Sequence, residues 1–71
     1  MEPTIVSDPN VCGGQAIFRG TRIPVYVVLD YLGAGNSIDK VVSEYPELTR
    51  DSILAALAYA AALARDEATP A

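Results

Sequence analysis

The stretch Arg19-Gly20-Thr21-Arg22-Ile23-Pro24-Val25, followed ten residues on by Gly35-Asn36-Ser37, sets the reading of everything around it. On its N-terminal side it closes a short apolar run, Ala16-Ile17-Phe18, at Gly20. On its C-terminal side Pro24 opens a helical period, because a proline at the first helical position gives up an N–H that would have no partner there. Two of the five Lys/Arg of the chain fall in this strand-to-helix junction.

Outward toward the N-terminus, Thr4-Ile5-Val6 is a second β-prone run. Asp8-Pro9-Asn10 and Cys12-Gly13-Gly14 are turn signals between the two runs. This spacing predicts a small two-stranded ribbon, too short to stand alone. Toward the C-terminus, Val25, Val28, Leu29 and Leu32 fall at i, i+3, i+4 and i+7, one apolar helix face that ends at Gly33 and Gly35. Ser37 caps a second helix carrying Ile38, Val41, Val42 and Tyr45, and Pro46 stops it. Thr49 caps a third, with Leu48 before the cap and Ile53 inside it placed as a hydrophobic staple. The expected fold is mainly α: three helices over residues 24–65 in one small domain, with a β-ribbon arm over 1–23 and a frayed polar tail over 66–71.

Helices two and three are joined by Tyr45-Pro46-Glu47-Leu48, the turn length of a helix-turn-helix, in which the first turn of the second helix meets base edges. The residues placed to do so are Arg50, Asp51 and Ser52. Arginine can bond guanine through both arms of its guanidinium, and a carboxylate can accept from cytosine N4. Thr49 at the cap and Lys40 on helix two are candidate phosphate contacts. Against this stand Ala55 and Ala56, which have little reach, and helical hairpins also occur in bundles that never touch DNA. A formal charge of −4 argues against charge-driven coating of nucleic acid or anionic lipid, though not against a local basic patch.

Composition narrows the remaining classes. Seventy-one residues bury only about 60% of their unfolded surface, so the core is marginal. With a single cysteine, Cys12, an internal disulfide is impossible. The second half of helix three, Ala55 to Ala64, is apolar on all sides and calls for cover beyond one small domain. A homodimer or higher oligomer is therefore expected, with Leu54, Ala58, Tyr59 and Ala62 as candidate interface residues. No histidine is present, which removes a His–Cys nucleophile pair and a zinc site. Gly14 and Gly20 lack the spacing of a phosphate loop and the lysine that follows it. The four tyrosines are too scattered for a base-stacking platform. The expectation is a cytoplasmic non-enzyme without cofactor, metal, small-molecule substrate or membrane contact, since neither a signal segment nor a twenty-residue apolar span is seen.

The residues Asp8-Pro9-Asn10-Val11-Cys12-Gly13-Gly14, Gly20-Thr21-Arg22-Ile23-Pro24-Val25, Gly35-Asn36-Ser37, Tyr45-Pro46 and Leu48-Thr49 resemble the bacterial domain-of-unknown-function family numbered 433, whose members include VapB-like antitoxins. The resemblance covers roughly residues 4–64. One departure is Gln15-Ala16, where the family commonly has Lys-Pro. The resemblance implies a homeodomain-like helix-turn-helix and a partner encoded alongside, a PIN-like ribonuclease toxin. It implies an antitoxin that represses its own operon as a dimer on operator DNA and blocks the toxin. A PIN-like site is a cluster of carboxylates around a metal, so an inserted arginine is a sensible plug. Arg19, Arg22 and Arg65 are the candidates, with Arg22 equally able to fix the ribbon on helix one. The other reading from the residues is an interaction module whose hairpin never meets DNA.

Overall fold

The computed structural model describes residues 4–67. Two strands, β1 (Ile5–Ser7) and β2 (Ala16–Phe18), precede three helices, α1 (Val25–Gly33), α2 (Ile38–Glu44) and α3 (Arg50–Glu67). The strands are antiparallel, with Ile5 opposite Phe18, Val6 opposite Ile17 and Ser7 opposite Ala16. Their connection is folded locally. Asp8 accepts at Oδ1 from the Asn10 N–H (2.9 Å), the Val11 N–H reaches the Asp8 carbonyl (2.9 Å), and Ser7 Oγ donates to the Gly14 carbonyl.

Pro24 is displaced by one residue from its expected place. It is the N-cap of α1, in extended conformation (φ −66°, ψ 143°), and pairs as an isolated bridge with Ile17. The ribbon therefore continues up to the helix start, and Val25 takes the first helical position.

At the other end of α1 the chain reverses through a pair of backbone bonds. The Gly35 N–H donates to the Leu32 carbonyl (3.0 Å) and the Asn36 N–H to the Tyr31 carbonyl (3.1 Å), which the Asn36 Nδ2 also reaches at 2.9 Å. This closure needs a left-handed residue after the cap, and Gly35 supplies it at φ +96°. Ser37 then caps α2, its Oγ accepting from the Lys40 N–H at 3.1 Å.

Thr49 starts α3 with a reciprocal cap. The Ser52 N–H donates to Thr49 Oγ1 and the Thr49 N–H donates to Ser52 Oγ, both at 3.2 Å. Leu48 and Ile53, on either side of that cap, are buried at 2% and 0% exposure, so the expected staple forms. The helix continues to Glu67, two residues beyond its expected end. Asp66 and Glu67 are helical rather than frayed, and the rest of the expected tail, 68–71, lies outside the described residues.

One apolar cluster holds these elements together: Phe18 from β2, Val25 and Val28 from α1, Val41 from α2, Leu48 from the loop, and Ile53 and Ala56 from α3. Tyr31 and Tyr45 pack edge to face at its margin, 5.8 Å between centroids. Burial, then the Tyr31 phenol, then Glu44 push the Tyr45 hydroxyl above the ordinary tyrosine range. A raised phenol favours the neutral form in the folded state. Its contribution is complete below about pH 10 and is lost as pH rises through the folded value. In an ultraviolet phenolate titration Tyr45 should ionise after a free tyrosine would, and Tyr45→Phe should remove that late step.

Candidate interaction surface

The junction at Gly20-Thr21-Arg22-Ile23 is a structural clamp. The Thr21 N–H closes a turn onto the Phe18 carbonyl (3.0 Å), with Gly20 in the left-handed region at φ +80°. Thr21 Oγ1 donates to the same carbonyl (2.8 Å) and accepts from the Ile23 N–H (3.0 Å), while the Phe18 N–H donates to the Ile23 carbonyl (3.1 Å). One hydroxyl thus satisfies two backbone groups and locks the strand to the helix entry. Thr21→Val, which keeps the shape and deletes both bonds, is expected to cost about 1–3 kcal/mol in urea denaturation, whereas Thr21→Ser should retain most of it. Arg19 and Arg22 flank this turn and are exposed. Arg19 lines a shallow cleft with Thr4, Glu47 and Ser52, and Arg22 lines a neighbouring one with Val11, Ile23 and Glu47.

The hairpin of α2 and α3 brings together the residues singled out for DNA, but on terms set by their own chain. Arg50 Nη1 lies 3.5 Å from Asp39 Oδ1, and Lys40 Nζ lies 3.3 Å from Glu44 Oε1. Both pairs are exposed and individually weak. Even so, a phosphate would have to compete with a carboxylate for each cation. Thr49 and Ser52 spend their hydroxyls on the cap described above. Asp51 is exposed on the first turn.

The expected dimer residues divide between two faces of α3. Leu54, Ala58 and Ala62 repeat at four-residue spacing and are all exposed, Leu54 at 46%. Tyr59 points to a different side. There it lines a groove of about 370 Å³ with Gln15 and Ala16 near and on β2, Val25, Tyr26 and Leu29 of α1, and Leu63. Burial along α3 stops at Ala56; past it only Ala60 is even half-covered up to Asp66. Tyr26 and Leu63, 52% and 43% exposed, line this groove and were not among the expected interface residues, while Leu57, 41% exposed, lies on another side of α3. Their signal was present in the all-round apolar character of Ala55 to Ala64, which names no side. Arg65 is exposed near the far end of α3, about 20 Å from Ser52 by helix rise, so it cannot act with Arg19 on one small site.

Among the described residues no three His, Cys, Asp or Glu side chains are grouped so that they could hold a metal ion. No described helix is long and apolar enough to cross a membrane.

A family model described as "Protein of unknown function (DUF433)" matches residues 5–60. The chain is a member of the DUF433 family. It is 38% identical over 58 residues to the Sinorhizobium fredii "Uncharacterized protein y4eO", a match that takes in 82% of this chain and 26% of that protein. It is also similar to the crystal structure of a DUF433 member protein from Anabaena variabilis, with a TM-score of 0.77, 40% identity, and coverage of 82% of this chain and 57% of that one. This DUF433 chain thus spans about a quarter of the length of the curated relative it matches, and over half of the solved one. The clamp around Thr21, the Gly35 closure and the Thr49 cap all lie inside the matched segment.

Proposed function

We propose that this DUF433 chain acts by protein–protein contact, as the antitoxin of a toxin–antitoxin pair that associates with itself and captures a PIN-like ribonuclease. The observation that carries the contact reading is the uncovered apolar surface of α3 and its groove with α1, where Tyr26, Leu54, Leu57, Tyr59 and Leu63 are all at least 36% exposed. Tyr26, Tyr59 and Leu63 share one groove, and an exposed apolar patch of this kind on a small domain marks a surface that another protein covers. The antitoxin element rests on the family resemblance, in which an arginine plugs the carboxylate cluster of the ribonuclease and Arg19, Arg22 and Arg65 are the candidates.

A second reading adds operator binding and autorepression, and the reciprocally capped α2–α3 hairpin favours it. In this reading the hairpin is a homeodomain-like helix-turn-helix, with Arg50, Asp51 and Ser52 at base edges and Lys40 and Thr49 at phosphate. The Arg50–Asp39 and Lys40–Glu44 pairs and the charge of −4 weigh against it.

The two readings separate in one pair of titrations: inhibition of a PIN-like ribonuclease, and binding to the DNA upstream of the gene across a salt series. Stoichiometric inhibition that ignores Arg50→Ala supports contact as the working principle. Salt-dependent DNA binding that vanishes in Arg50→Ala, without inhibition, supports the repressor instead.

A further inference from the structure

Asp51, Leu54, Ala58, Ala62 and Arg65 lie at i, i+3, i+7, i+11 and i+14 along α3, a single stripe on the side away from buried Ile53 and Ala56. All five are exposed. The stripe is charged at both ends with opposite signs, and each charge stands seven residues from Ala58, about 10 Å along the axis.

The geometry points to a second copy of this chain as the occupant of that stripe, with the two α3 helices antiparallel and their two-fold axis at Ala58. This inference rests on the self-association in the reading above, but on neither the ribonuclease nor the operator. Antiparallel pairing about Ala58 sets Asp51 opposite Arg65 of the second copy, and the symmetry repeats the pair at the other end. Parallel pairing would set Asp51 against Asp51 and Arg65 against Arg65, so charge selects the direction. Between the charged ends, alanine at 58 and 62 allows the axes to approach to about 8 Å. Leu54 of each chain then fills the space beside Ala58 and Ala62 of the other. The groove at Tyr59 lies on a different side of α3 and stays open to a protein partner. The stripe includes Asp51, a residue the repressor reading assigns to bases, so pairing and base reading exclude one another there.

Sedimentation equilibrium of the full chain, with charge reversal at the two ends, tests this pairing. The wild type should be a dimer. Asp51→Arg and Arg65→Asp should each weaken it by about tenfold, and the double variant should recover most of that loss. Each reversal also disfavours its own helix end, and the double variant carries both penalties. Recovery therefore cannot come from the monomer. A wild type that stays monomeric, a dimer indifferent to either reversal, or a double variant as weak as the singles overturns the arrangement. A monomer that still silenced the ribonuclease would overturn the pairing alone. A dimer with the expected charge pattern and no effect on the ribonuclease would overturn only the antitoxin role.

Discussion

Phe18→Ala is expected to remove a large share of the chain's stability at 25 °C. Phe18 is 2% exposed and is the side chain through which β2 enters the cluster shared by α1, α2 and α3. Truncating a buried phenylalanine costs about 3–5 kcal/mol, through lost transfer energy and the cavity left behind. A domain of this length is stable by roughly 4–10 kcal/mol in total, so one substitution removes a large share. The clamp does not compensate, because its bonds use the Phe18 backbone N–H and carbonyl, which are the same before and after the substitution. Urea denaturation followed by circular dichroism measures the effect. A midpoint well below that of wild type, by about 3–5 kcal/mol in stability, is expected, and a variant within about 1 kcal/mol of wild type would mean that the ribbon is not part of the core. Leu54→Ala is the matched control: Leu54 is 46% exposed, and its truncation should change the stability of the isolated chain little.

Ala58→Glu is expected to abolish self-association while leaving the fold intact. Ala58 is exposed and helical, so in the isolated chain the change costs only a few tenths of a kcal/mol in helix propensity. Between two copies it sets two carboxylates against each other across the axis in an apolar seam. Burying unpaired charge in that way costs several kcal/mol, so the dimer should weaken by at least about a hundredfold. Sedimentation should show a monomer whose helical signal and urea midpoint match those of wild type measured below its own dissociation constant. An Ala58→Glu variant as dimeric as wild type would place the contact elsewhere.

Most of the fold was legible because its signals are local. Ser37, Thr49 and the Leu48–Ile53 staple act within five residues, and the Ala16–Phe18 run became a strand with the bounds its composition indicates. Pro24 was misplaced by one position because its bridge to Ile17 is a tertiary contact, invisible in the residues on either side. The end of α3 was misplaced because polarity at Asp66 and Glu67 says nothing about whether the backbone stops there. The candidate surface was harder to read. Arg50 meets Asp39 eleven residues away, a pairing fixed by how α2 and α3 cross rather than by any spacing. Helix three is apolar almost all round, so only the position of the core could separate the Leu54–Ala58–Ala62 stripe from the Tyr59–Leu63 groove. Tyr26 belongs to that groove for the same reason, through the packing of α1 beside α3.

The central claim, that the outer surface of α3 works by protein contact, is tested most directly by capture from the native host. Tagged wild type, Ala58→Glu and Arg50→Ala would be compared, with protein and DNA in each eluate identified and quantified. The account predicts a stoichiometric small ribonuclease with wild type and with Arg50→Ala, a second untagged copy of the chain with those two and not with Ala58→Glu, and no enrichment of upstream DNA that depends on Arg50. Upstream DNA retained by wild type and lost in Arg50→Ala, with neither ribonuclease nor second copy in any eluate, would contradict it.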